Sequence, residues 1–342
     1  MEQSLEISAL GVTARPLDLE GLHGLSSVRH LKVPARAMYA CWNATGYPKA
    51  DRLLQGVDVY HATNFFLPPV HRARRVLSIY DLAFLVMPET GSPRVVGPFS
   101  RHIRKFAREA DAILACSEAT KQDIVERLDV SPGKIRVAYG AVDESLRPMP
   151  TPAAKLRLQQ TYGISDPFIL FTGTLEPRKN LPMLLKAFAR IQRRIPHRLV
   201  LAGGLGWNMD GLASECAALG IADRVQLPGY VPGSDLAALY SAADVFVLPS
   251  RYEGFGLPLL EAMACGCPVV SCRNSSIPEV VGDAGLLCET GDDEAMAEAI
   301  LSVVEDPHAR SQWTNLGAER ARHFTWRRCA EIALQTYKDV SV

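Results

Sequence analysis

From residue 168 onward, short β-branched or apolar runs alternate with stretches of helical periodicity, and glycine or proline separates them. That rhythm confines the chain to a parallel α/β architecture, because parallel strands need a crossover helix between them. It predicts strands over 168–172, 198–202, 225–227, 244–248, 268–271 and 285–288. Leu181, Leu184, Leu185, Phe188 and Ile191 recur at three- and four-residue steps and mark one helix packed on that sheet, and a similar pattern runs over 257–264. The first half is less regular, with strands expected over 57–61, 75–79, 112–116 and 134–137 and a helix over 100–109. A length of 342 residues argues for two domains. The prolines of RPMPTP, residues 147–152, continue neither a helix nor a central strand, so the boundary is placed there, giving domains over 1–148 and 149–323. The closing segment, 324–342, is expected to be a helix with Thr325 as its N-cap. Trp326, Cys329, Ile332, Ala333 and Tyr337 would share one side, which packs back toward the first domain.

Charge and cysteine usage exclude several classes of function. Lysine plus arginine equals aspartate plus glutamate at 37 each, so no global field draws the chain to nucleic acid. The eight cysteines show no Cys-x-x-Cys spacing of the kind a zinc site or redox dithiol uses. With no basic leader and no apolar run of about 18 residues, the expected compartment is the reducing cytoplasm. Residues 1–150 carry 19 basic and 16 acidic side chains. Among them, Arg101, Arg104, Lys105 and Arg108 form a basic stretch interrupted by Ile103 and Phe106. It reads either as a solvated helix face or as a peripheral contact with anionic lipid at the inner face of a membrane.

In open parallel sheets, ligands bind beyond the carboxyl ends of the strands, so the loops there carry the functional reading. After the strand at 168–172 comes GTLEPRKN, where Gly173 lets backbone approach a ligand and Arg178 and Lys179 flank a helix start. The pair suits a diphosphate and equally suits an ordinary basic helix start. A second glycine-rich loop, AGGLGW, occupies 202–207. The run SRYEGFGLPLLEAMACGCPVV over 250–270 is more specific. It sets Glu253 and Glu261 with seven residues between them, and Gly254 and Gly256 expose amides just before a helix that begins near Leu257. Glu261 falls one turn inside that helix between apolar neighbours, where a carboxylate needs a hydrogen-bonding partner such as the vicinal hydroxyls of a ligand.

These segments, with VQLPGYV, the strand opened by Asp244 and SIPEVVGDAG, stand in the order and rough spacing of a known pattern. Residues 168–340 resemble the nucleotide-binding half of the retaining glycosyltransferases of family 4, whose GT-B fold faces two Rossmann-like, doubly wound α/β domains across a cleft. The first half resembles the same family in DVYHATNFFLPP (58–69), YDLAFLVMPE (80–89), ACSEATKQDI (115–124) and the turn at 140–143. The resemblance implies that Arg178 and Lys179 hold the donor diphosphate, that Glu253 faces the donor sugar and that Glu261 binds the ribose. Gly173, Leu257 and the amides of Phe255 and Gly256 would assist at the sugar or phosphate, with Tyr230 and Val231 beside the base. Asp81 joins the catalytic set, while Tyr80 and His61 fall on the acceptor side. Tyr80 stands where relatives carry histidine, and His61 is either a partial substitute or a structural histidine. No Asp-x-Asp motif is present, so neither metal nor cofactor is expected beyond the nucleotide sugar. The stretch at 5–12 looks like the family's second strand, which implies a first domain lacking its usual opening βα unit and therefore its central strand. The implied activity is retaining transfer of a hexose, with mannose favoured, from a nucleoside diphosphate sugar to a glycan or lipid-linked glycan. The rival readings are a noncatalytic nucleotide-sugar-binding protein and a sugar-nucleotide epimerase of the same fold.

Overall fold

The computed structural model describes residues 5–17, 23–165, 167–209 and 211–341. All strand pairs in it are parallel. In the first half, β1 (Ser8–Val12) pairs with β2 (Ser27–Leu31) as a separate two-stranded sheet. A four-stranded sheet follows, in chain order: β3 (Val59–Ala62), β4 (Arg74–Ile79), β5 (Ala112–Ala115) and β6 (Ile135–Val137). Among the described residues β1 pairs only with β2, and β3 only with β4, so each leaves one edge without a strand partner.

The second half is one six-stranded sheet in the order β12-β11-β10-β7-β8-β9. Its strands are β7 (Phe168–Thr172), β8 (Arg198–Ala202), β9 (Val225–Gly229), β10 (Val245–Leu248), β11 (Val269–Cys272) and β12 (Leu286–Cys288). Every residue of β7, β10 and β11 is buried, as expected where helices cover both faces and a strand reads as an unbroken apolar run. The helix Leu181–Ile191 sets Leu181, Leu184, Leu185, Phe188 and Ile191 into that core. A second core, built on Leu77, Ile79, Ile113 and Ile124, lies in the first half.

Three expectations from sequence need correction. Strand β2, SVRHL, was not foreseen: its first three residues are exposed and it lacks an apolar run. The helix expected over 100–109 begins at Pro93 and carries Pro98 inside it, where the missing amide disguised its first half. In the closing helix, Trp326–Ser341, Cys329, Ile332, Ala333 and Tyr337 do pack on Val76, Ala112, Leu114 and Ala138 of the first half, but Trp326 is 53% exposed. Thr325 Oγ1 accepts the Arg328 amide at 3.2 Å and so caps the helix.

Candidate functional site

Strands β7 and β10 are neighbours, yet the chain leaves them toward opposite edges of the sheet, β7 to β8 and β9, β10 to β11 and β12. The connecting loops beyond their carboxyl ends therefore run to opposite sides of the strand order, which makes this the switch point at which doubly wound sheets take ligands. Residues 173–180 and 249–256 are those two loops. They are tied to each other: the Arg251 amide donates to the Arg178 carbonyl at 2.9 Å, and Asn180 Nδ2 donates to the Pro249 carbonyl at 3.2 Å. Asn180 takes a left-handed conformation, φ 55°, which ends the 3₁₀ turn Pro177–Lys179 and starts the following helix. The loop after β8 runs against this pair so closely that a Cβ on Gly203 would collide with the Gly173 carbonyl.

At this switch point the paired cations grip Glu253. Lys179 Nζ donates to Glu253 Oε1 at 2.7 Å and Arg178 Nη1 to Oε2 at 3.0 Å, while Ser250 Oγ donates to Oε1 at 2.6 Å. Arg178 also donates through Nη2 to Glu176 at 2.6 Å and through Nη1 to the Tyr252 carbonyl at 2.8 Å. Burial alone would raise the Glu253 pKa, but the charges of Lys179 and Arg178 pull it down to about 2, so it stays ionised. Burial disfavours the Arg178 charge as well, and Glu253, Glu176 and Asp81 more than compensate. Glu253 thus spends both oxygens on holding the cations rather than lying open to a sugar. The Arg178 side chain stays 18% exposed and Lys179 9%, so Arg178 presents the freer edge of the pair.

Glu261 lies on the helix Leu257–Ala264, which starts directly after Gly256. Burial raises its pKa, and a hydrogen bond from Tyr240 Oη at 2.8 Å acts the other way. Leu257 is 38% exposed at the helix mouth and Gly173 lies under the Lys179 side chain. Tyr230, 77% exposed, follows β9 with its ring free to stack, whereas Val231 is buried in the core of the second half and offers no side chain to a base. The Phe255 ring is likewise buried, packed against Tyr139 and Phe324, which leaves its backbone as the part able to serve a ligand.

The first half closes on this site through Tyr80 and Asp81. A Cβ on Gly254 would collide with the Tyr80 carbonyl and the Asp81 side chain, so only glycine permits that approach. Cys116 Sγ donates to the Tyr80 carbonyl at 2.7 Å and to the Gly254 carbonyl at 3.1 Å, and Thr120 Oγ1 lies 3.2 Å from both. Asp81 accepts the Ala83 amide at 2.9 Å; burial raises its pKa while that amide and Arg178 lower it. The Tyr80 ring is 48% exposed beside this seam. His61 is not available to an acceptor. Its Nδ1 pairs with Tyr337 Oη at 2.7 Å and its Nε2 with Ser78 Oγ at 2.8 Å, and burial lowers its pKa to about 4. It fastens the closing helix to β3 and β4.

Sequence reasoning missed Glu176, Ser250 and Tyr240. Glu176 was legible in principle, as a carboxylate two residues before Arg178 in a loop too short to part them. Trp207 went unassigned too; its indole N–H donates to the Thr90 carbonyl at 2.7 Å and joins the loop after β8 to the first half.

Comparison with known proteins bears on what this geometry serves. A family model described as Glycosyl transferases group 1 matches residues 157–320, and one described as Glycosyltransferase Family 4 matches residues 12–146. O-antigen chain mannosyltransferase B of Escherichia coli is 35% identical over 284 residues, 82% of this chain and 74% of that protein. The chain spans only 32% to 65% of the length of four longer curated relatives. Sucrose-phosphate synthase from Thermosynechococcus elongatus shares the fold at a TM-score of 0.75 and 21% identity, over 98% of this chain and 88% of that one. HepE of Anabaena, solved in complex with UDP and glucose, shares it at 0.73 and 19%, over 99% and 100%. The solved structures establish the two-domain GT-B fold. Identity of 35% across four fifths of the sequence goes further, and the chain belongs to glycosyltransferase family 4.

Proposed function

We propose that this glycosyltransferase moves a hexose from a nucleoside diphosphate sugar to a glycan or lipid-linked glycan with retention of anomeric configuration, and that mannose is the sugar transferred. The observation that carries the reading is the Arg178–Lys179 pair at the switch point, held in place by Glu253. Similarity to an O-antigen mannosyltransferase supports the choice of sugar and the class of acceptor.

In the reaction, the bond between the anomeric carbon and the diphosphate oxygen breaks and its electrons pass to the diphosphate. Charge that builds there is met by cations oriented beforehand, and removing one such donor typically costs on the order of 100- to 1000-fold in turnover. Glu253 and Glu176 are both paired with these cations, so neither is free to act as base. The acceptor proton then goes to the departing diphosphate, which requires attack from the face that the diphosphate leaves and so retains configuration. Two fixed cations perform the neutralisation for which other transferases use a divalent ion, so no metal is required. Glu261 receives the ribose hydroxyls, and the exposed Tyr230 ring stacks on the base.

Lipid contact, where the acceptor carries lipid, rests on charge alone. Arg101, Arg104, Lys105 and Arg108 are exposed, but Ile103 and Phe106 are buried in the first-half core and insert nowhere. Binding to anionic vesicles should therefore disappear at high salt, and salt-resistant binding would contradict this. The reaction itself is tested by supplying GDP-mannose or UDP-glucose, in EDTA, with a glycolipid extract. The expected result is nucleoside diphosphate release only when acceptor is present, and an α-linked product by NMR. Donor binding without turnover on any acceptor would favour the noncatalytic reading, which Tyr80 motivates; conversion of donor without acceptor would favour an epimerase.

A further inference from the structure

Tyr240 sits on the helix Gly233–Ala242 and is completely buried, with its ring edge-on to Phe246 at 5.5 Å. A phenol placed so deep needs partners for its hydroxyl. It has two: Oη donates to Glu261 Oε2 at 2.8 Å, and Thr172 Oγ1, the last residue of β7, lies 2.7 Å away on the other side. Burial and the neighbouring carboxylate raise the phenol pKa well above its ordinary value, so the proton stays on Oη and Thr172 supplies the second hydrogen. Among the described residues Tyr240 is the only hydrogen-bond partner of the Glu261 carboxylate, and the oxygen facing away from it has none.

We propose that Tyr240 is a positioning residue for nucleotide recognition: backed by Thr172, its hydroxyl fixes the Glu261 carboxylate so that the second oxygen is presented to the vicinal hydroxyls of a ribose. The proposal deepens the assignment of Glu261 to the ribose and rests on it. The titratable groups that face Glu261 are Tyr240 from the neighbouring helix and Cys265 from its own. Burial pushes the carboxyl toward its neutral form and the Tyr240 hydroxyl opposes that. Without the hydroxyl the acid should protonate at a higher pH.

The test compares GDP with 2′,3′-dideoxy-GDP, and UDP with its dideoxy form, by calorimetry across pH 5 to 8. The unaltered protein should prefer the ribonucleotide by about tenfold or more, as hydrogen bonds to a charged group do. Tyr240→Phe, with the ring retained, should lose most of that preference and bind the dideoxy nucleotide unchanged. The pH below which the residual preference fades should also move upward. Glu261→Gln should abolish both the preference and its pH dependence. If Tyr240→Phe keeps the full preference, or weakens both nucleotides equally, the proposal falls, and Glu261→Gln alone decides whether the ribose assignment survives. If Glu261→Gln keeps the preference, that assignment falls first. Thr172→Val, similar in shape and one bond further from the carboxylate, is measured beside them. Should Tyr240→Phe fail to fold, an unchanged preference in Thr172→Val overturns the proposal and a reduced one with a raised midpoint sustains it.

Discussion

Two cations and a carboxylate buried together are tolerated only when each is satisfied, and removing one partner of such a group costs several kcal/mol because the others remain charged. Glu253→Gln takes from Lys179 its ion-pair partner and leaves Arg178 with Glu176 and the nearby Asp81. We expect a loss of about 3 kcal/mol in chemical denaturation along with a large fall in kcat. Glu261→Gln, whose carboxyl holds no buried cation, should cost little stability. His61 gives a residue-scale pH dependence. Its folded pKa of about 4 lies below the unfolded value near 6.5, so the unfolded chain binds the extra proton and stability falls as pH drops through that window. From pH 7.5 to 4.5 this single group should remove on the order of 2–3 kcal/mol. His61→Gln should flatten the unfolding free energy against pH; an unaltered slope would mean that the ring is not held neutral.

Elements of the second half were legible because β7, β10 and β11, buried on both faces, carry apolar runs that no solvent-facing residue interrupts. The Glu253-to-Glu261 spacing was legible for a related reason, since both carboxylates belong to one loop-to-helix turn. What joins them to the rest was not. Tyr240 reads as one more apolar position in a helix, and only tertiary packing brings its hydroxyl to a glutamate 21 residues away. Strand β2 and the start of the helix Pro93–Glu109 were hidden by exposed polar residues and by Pro98. The closing helix allows a direct check at this scale. Thr325→Ala deletes the hydroxyl that caps Trp326–Ser341 and should cost about 1 kcal/mol in thermal or chemical unfolding, with amides of the first turn exchanging faster.

At the scale of the whole molecule, the two halves meet through an apolar patch, where Tyr139 packs on Phe255 and Phe324, and through a line of polar contacts beside it. Glu279 of the second half accepts the Glu118 and Ala119 amides at 2.9 Å each, capping a first-half helix, and Tyr252 Oη donates to Asp123 at 2.8 Å. Gly254 lets the halves close without steric conflict. Gly254→Ala should hold them apart at Tyr80 and Asp81. Its expected signature is a fall of about tenfold or more in kcat with nucleoside diphosphate affinity nearly unchanged and a larger radius of gyration in solution. Equal losses in binding and turnover would instead place the damage within the second half. The polypeptide passes from one half to the other between β6 and the helix Thr151–Tyr162 and returns before the closing helix, whose Ile332 and Tyr337 lie on the first-half sheet while Phe324 remains in the second-half core. A body tethered at two points swings about the line that joins them, as a door does on a pair of pins. Any opening that admits substrate should therefore be a rotation about that line and not a sliding of one face over the other.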